Sequence, residues 1–240
     1  MKSALTKTLS VIALSTGLVA GIAGSAFATV TTTPPRTAAQ DAAKAVCDTA
    51  IAERLTAIGR VTARISSAKH LGSDQAALLA IFNDPSTGAT AGLNALKTKI
   101  DDPNGDPNLK ADCQAIYTDF RIFALRVPQV HLVVGADDES AAIARLTPAA
   151  TNLQKLIDKA KAAGRDVTDA TAALADMNAK LADATNQVNG VTAALLPLTP
   201  SEWNAGHSLL ADYVAKVKAA RADLRTAIID AHDVVNDLRK

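Results

Sequence analysis

The chain is short of aromatic residues, of glutamate and of cysteine, and each shortage removes a class of function. One Trp, two Tyr and four Phe among 240 residues leave few rings to line a small-molecule pocket. Glutamate occurs only at Glu53, Glu139 and Glu202, and none begins a Glu-x-x-His pair, so the usual signature of a di-iron bundle is missing. His70, His131, His207 and His232 stand at least 25 residues apart, too far for a local zinc pattern such as HExxH. No serine sits in G-x-S-x-G, and no glycine-rich phosphate loop precedes a helix. These gaps point away from an enzyme, and the sequence implies no cofactor and no metal.

An excess of charge of one sign is lacking too. There are 25 Lys and Arg against 24 Asp and Glu. Setting aside Lys2 and Lys7, which fall in an export signal, leaves 23 basic residues against 24 acidic ones. A protein that replaces phosphate counterions needs surplus Lys and Arg, so nucleic acid is excluded as a partner.

What the sequence does contain begins with an address. Lys2 and Lys7 form a positive n-region, Leu9 to Ala23 carries no charge, and Ala26-Phe27-Ala28 has the small-x-small form that signal peptidase accepts. Residues 1–28 read as a signal peptide cleaved after Ala28. The secreted or extracytoplasmic product carries no further apolar run long enough to span a bilayer. Leu196-Pro197-Leu198-Thr199-Pro200 is similar to a wall-sorting signal, but Pro200 stands where glycine is needed and charged residues follow. Thr31 to Pro35 then reads as an extended Thr/Pro spacer within 29–36.

From 37 to 240 the pattern is helical. Cys47, Ile51, Leu55, Ile58, Val61, Ile65 and Ala68 recur at spacings of three and four, one face of a first helix over 37–71. A second helix over 74–101 is split by Asp84-Pro85 and carries Phe82, Ala89, Leu93, Leu96 and Ile100. A third over 107–126 presents Leu109, Cys113, Ile116, Phe120 and Phe123, and its phase continues past Pro128 through Val127, Val130 and Val134. Pro128 predicts a kink or break there.

A fourth helix over 137–163 carries Ile143, Leu146, Ala150, Leu153, Ile157 and Ala160, with Pro148 as a second candidate kink. A fifth over 166–189 shows Leu174, Met177, Leu181, Ala184 and Val188. A sixth runs from Thr199-Pro200 to the C-terminus with Leu210, Val217, Leu224, Ala231 and Leu238 at coiled-coil spacing. The expected fold is all-α, an elongated up-down bundle of five to six long helices. Boundary landmarks 92 or 93 residues apart raise two three-helix units, 37–134 and 137–240.

Cys47 and Cys113 both fall on core-facing stripes, and two thiols in an oxidising compartment pair. The bond would close a 66-residue loop, worth roughly 4 kcal/mol by the chain-entropy account. The alternative is two buried thiols.

Three weaker features carry bland readings beside sharper ones. Asp101, Asp102, Asn104 and Asp106 supply hard oxygens suited to calcium, but Pro107 and Cys113 stand where an EF-hand needs Gly and Glu, so a polar turn with helix caps is favoured. His131 beside Val130 is a core-edge histidine before it is a haem or metal ligand. Gly88-x-x-x-Gly92 reads as close helix packing or local fraying.

The segment from Phe120-Arg121-Ile122-Phe123 through Pro128 to Val134, with the signal before it and Ala-rich helices around it, resembles uncharacterised exported proteins of actinomycete type. The resemblance implies a bacterial envelope or secreted location. It implies no activity and transfers no functional residue. The expected function is therefore a non-enzymatic exported bundle acting through its surface on a protein or envelope component. The alternative is a carrier holding an apolar small molecule or lipid between helices, its pocket in the first three helices where most aromatics lie.

Overall fold

The computed structural model describes residues 37–103 and 105–240, which belong to one compact unit spanning 34–240. The expected signal peptide over 1–28 with cleavage after Ala28, the expected spacer over 29–36 and Asn104 of the acidic loop lie outside the described residues. Every regular element among the described residues is helical. No helix among them is long and apolar enough to cross a membrane.

Helix α1, Ala38–Ser67, starts where the sequence allows a reciprocal cap. The Gln40 amide donates to the Thr37 hydroxyl and the Gln40 side chain accepts from the Thr37 amide, so donors that the first turn orphans are satisfied. Gly72, at φ +52°, turns the chain into α2, Asp74–Asn83. The Asp84 carboxylate then accepts from the amides of Ser86 and Thr87, which ends α2 and holds a tight turn up to Gly88. Helix α3, Ala89–Ile100, follows, and the split expected at Asp84-Pro85 is present. Helix α4 is Leu109–Thr118.

Beyond α4 the chain departs from the sequence expectation. The third helix does not continue to 126. It stops at Asp119, passes through Arg121 at φ +45°, and re-enters as one π-helical turn, Ile122–Arg126, that runs directly into α5, Val127–Ala162. Pro128 accounts for the wide turn. It has no amide to donate to the Ala124 carbonyl, and its ring crowds that turn, so the Arg126 amide reaches back five residues to Arg121. The rotation moves Phe123 out of the core stripe, leaving it half exposed, and buries Ile122 and Leu125 instead. No break follows at 134–137. The fourth helix begins at Val127 rather than 137 and continues past Pro148 to Ala162.

Helix α6, Thr168–Val188, ends at Gly190 with φ +74°. The single sixth helix expected over 199–240 is also broken. Thr199 and Glu202 form the capping box that opens α8, Pro200–Ala205, but Gly206 to Leu210 leave the helix before α9, Ala211–Asp237. A short α7, Val191–Leu195, fills what reads in sequence as a plain connection. Along α9 the buried positions are Val217, Ala220, Leu224, Ala227 and Val234, alternating at spacings of three and four before a last step of seven, while Ala231 and Leu238 of the expected series are only half-buried. That alternation is the two-position stripe of a helix packed lengthwise against neighbours.

Two hydrophobic cores lie along α5. The first takes α1 to α4, the π turn, the head of α5 (Val130, Val133, Val134), α7, Leu210 and Val217. The second is a three-helix bundle of the α5 tail (Leu153, Ile157), α6 (Leu174, Met177, Leu181) and α9 (Leu224, Val234). Helices α5 and α9 run parallel, because Gly135 faces Val217 and Glu139 meets Arg221 one turn further along both. Helix α6 runs against them, bonded through Lys180 to Asp223 at 3.1 Å.

Buried polar groups fix the junction of the cores. Gln129, fully buried, donates to the Leu195 carbonyl at 2.5 Å, and Arg126 donates to the Leu198 carbonyl at 2.6 Å. Together they tie the head of α5 to carbonyls at the end of α7 and in the turn just beyond it. Burial holds the Arg126 guanidinium below its ordinary pKa.

Candidate functional site: the seam between α1 and α4

Helices α1 and α4 lie side by side, and the two cysteines mark where they meet. Cys47 and Cys113 stand at disulfide-bonding distance, with Cα atoms 5.5 Å apart. The spacing of three and four that puts Ala39, Ala43, Val46 and Cys47 on one edge of α1 faces Leu109, Lys110 and Cys113 of α4 across an open groove of about 570 Å³. Gln40, Asp106 and Pro107 also line it. Val46 is 64% exposed in this groove, the highest exposure among the large apolar side chains described.

One to two turns further along, the seam changes character. Arg54 lies seven residues from Cys47 and seven from Val61, so helical geometry carries it into the core face, where it is only 6% exposed. Its guanidinium carbon is 4.2 Å from the Tyr117 ring centroid and 5.3 Å from that of Phe123. Both distances are within cation–π range. Nη1 donates to the Ala50 carbonyl at 2.8 Å, whereas Nε is buried with no hydrogen-bond partner. No carboxylate makes an ion pair with Arg54 among the described residues, and burial lowers its pKa. Tyr117 and Phe123 remain 46% and 50% exposed.

The backbone outlier at Arg121 sits between these two rings in sequence, and α8 holds it. Arg121 Nε donates to Asn204 Oδ1 at 2.6 Å, and Asn204 Nδ2 donates to the Thr118 carbonyl at 3.0 Å, one of those the end of α4 leaves open. A left-handed non-glycine residue costs on the order of 1–3 kcal/mol and persists only where its surroundings impose it. Here the Asn204 clamp and the π turn together turn Phe123 back over Arg54.

Near the groove, Lys44, Asp48, Lys97 and Asp101 form a four-membered ion network that ties α1 to α3. Lys44 meets Asp48 at 2.5 Å, Lys97 meets Asp101 at 2.7 Å, and Lys44 also pairs with Asp101. The two lysines hold the Asp101 carboxyl below the usual carboxylate range. Asp106 accepts from the Asn108 amide at 2.7 Å, ahead of α4. In the acidic loop, then, Asp101 and Asp106 are engaged in pairing and turn formation.

The remaining residues singled out by sequence are scattered. His131 is exposed on α5, and partial burial and Arg64 hold its pKa down. Gly92 gives way to Phe120, whose ring would lie 2.5 Å from a Cβ at that position. Among the described residues no three His, Cys, Asp or Glu side chains gather to hold a metal ion.

Sequence patterning passed over Arg54, Tyr117 and Gln129. For Arg54 the signal was present, a charged residue at a heptad position of an otherwise apolar stripe. For Phe123 no local signal announces that the π turn rotates it outward. No protein-family model matches the chain, and neither a curated protein nor a solved structure matches it.

Proposed function

We propose that the protein acts outside the cytoplasmic membrane as a non-enzymatic binding protein, and that the α1–α4 seam is the surface it presents to another protein or envelope component. One observation carries this reading. Tyr117 and Phe123 are about half exposed, and they stay so while straddling a buried cation beside an apolar groove. Aromatic and arginine side chains concentrated at one spot are the composition of an interface centre. The export-type N-terminus and the cysteine pair support the location.

A second reading has its own support. The groove walls are mainly Ala39, Ala43, Val46, Leu109 and the cysteine pair, which suits a carrier of an apolar small molecule or lipid. Native mass spectrometry of the purified protein separates the two, since the carrier reading requires a copurified ligand.

The interface reading is tested by comparing the protein with a Tyr117→Ala/Phe123→Ala variant in capture from envelope extracts of the producing cell. The expected result is a discrete partner retained by the parent and lost by the variant, with unchanged melting temperature. Equal retention by both overturns the seam as the contact surface.

A further inference from the structure

A buried guanidinium without a carboxylate is an incomplete arrangement. Arg is almost never fully buried unless paired, because removing its charge from water is costly unless an anion or several acceptors replace the lost hydration. Arg54 has one carbonyl acceptor, two ring faces and an Nε with no partner. Aromatic faces attract a guanidinium but accept no in-plane hydrogen bond, so its buried Nε–H stays unmet until an acceptor reaches it past the rings. A carboxylate fits a guanidinium edge in planar, two-bond geometry.

The neighbouring surface says what carries the carboxylate. From Ala39 to Arg54 the α1 edge of the seam extends over ~22 Å at 1.5 Å per residue. Along that length it offers alanine, valine and the cysteine pair, then the two exposed rings. A small carboxylate would cover only the Arg54 end. A peptide segment of six or seven extended residues, at about 3.3 Å each, spans the whole edge.

We infer that the seam receives a segment of a partner protein in which an Asp or Glu side chain pairs with Arg54 between the Tyr117 and Phe123 rings while adjoining apolar side chains lie in the groove beside Val46. This inference rests on the interface reading and deepens it by naming the partner's chemistry. The exposed rings are the movable part, so the carboxylate enters by their displacement rather than by rearrangement of α1.

The test selects from a displayed library of random dodecapeptides on the disulfide-bonded protein. Affinities of the selected peptides are then measured by fluorescence anisotropy. The expected outcome is enrichment of Asp or Glu beside a bulky apolar residue. Replacing that acid by its amide weakens binding at least tenfold, as do Tyr117→Ala and Phe123→Ala. Arg54→Met does the same, and the Arg54 Nε–H resonance shifts on titration with peptide.

Phenylacetate is the small-molecule arm. If it shifts Arg54 Nε with the affinity of the best peptide, the peptide assignment is overturned in favour of a free carboxylate. Peptides that show no acidic preference, or that bind the Arg54→Met and Tyr117→Ala variants unchanged, overturn the carboxylate pairing. The capture experiment with the double variant reads independently. Loss of capture without acidic selection leaves the seam as interface and removes only this inference.

Discussion

Arg221 donates from Nε to Glu139 Oε1 across 2.7 Å, and the two side chains differ sharply in exposure, 51% for Arg221 against 11% for Glu139. The carboxylate is the group that depends on the pair. Removing the cation leaves a largely buried anion, whereas neutralising the anion leaves a cation that solvent can hydrate. Arg221→Met is expected to lower unfolding free energy by about 1–3 kcal/mol, the range for a hydrogen bond to a charged group left unmade, and Glu139→Gln by less than ~1 kcal/mol. Urea denaturation of both variants checks the order, and an equal or reversed cost contradicts it.

One turn earlier, Gly135 lets α5 approach α9. A Cβ at that position would lie 3.2 Å from Val217 Cγ1, a contact tighter than side chains normally make. Gly135→Leu is expected to force the helices apart where the two cores meet, at about 1–3 kcal/mol, the usual cost of overpacking. Gly164→Leu is not a fair comparison, since its φ of +78° adds backbone strain, but an Ala at Gly59, where a Cβ meets nothing within 4 Å, is. Thermal melting is expected to show Gly59→Ala at or slightly above the parent and Gly135→Leu several degrees below it.

Asp137 gives the pH dependence a definite sign. One carboxylate oxygen accepts from the Thr192 hydroxyl at 3.0 Å while the other is buried without a partner. Burial raises its pKa above 3.8, helped by Asp74 and Asp138 and opposed by the Thr192 hydrogen bond and His70. The folded protein therefore holds this proton more tightly than the unfolded chain does. That contribution is fully present below the unfolded pKa and is lost as pH rises through the folded value. Asp137→Asn, whose amide oxygen still accepts from Thr192, is expected to be more stable than the parent near neutral pH. The advantage should shrink as pH falls toward 3.8. Denaturation curves at the two ends of that window test it, and an advantage that grows on acidification contradicts the assignment.

The cysteine pair predicts both a mass and a stability. The protein should run about two mass units lighter before reduction than after it, from the two hydrogens lost on bonding. Closing a loop of 66 residues contributes roughly 4 kcal/mol in the chain-entropy account, so a Cys47→Ser/Cys113→Ser variant is expected to lose about 2–4 kcal/mol. Two titratable thiols in the unfolded, unreduced protein would contradict the bond.

Helix existence was legible because the apolar spacing is regular. Leu174, Met177, Leu181, Ala184 and Val188 are all buried, as are Phe82, Leu93 and Ile100. What escaped was local phase. The spacing 116, 120, 123 predicts Phe123 inward, but the left-handed residue at Arg121 and the π turn before Pro128 reset the rotation. Gly206 breaks the single helix expected from Thr199-Pro200 onward, and the heptad series could not reveal it because its first member, Leu210, already lies beyond the break. The candidate site was only partly legible for the same reason. The groove lies between α1 and α4, within the stretch 37–126 where aromatics concentrate, yet the pairing of Arg54 with Tyr117 and Phe123 depends on tertiary placement of elements far apart in sequence.

The most direct measurement places a photoreactive benzoylphenylalanine at Tyr117 in one preparation and at Leu156 in another. Both positions are nearly half exposed, 46% and 47%, but Leu156 sits in the separate three-helix core region. On irradiation in the producing cell, a single discrete adduct from position 117 and none from position 156 is predicted. The same adducts from both positions, or an adduct from 156 alone, would contradict the seam between α1 and α4 as the functional surface.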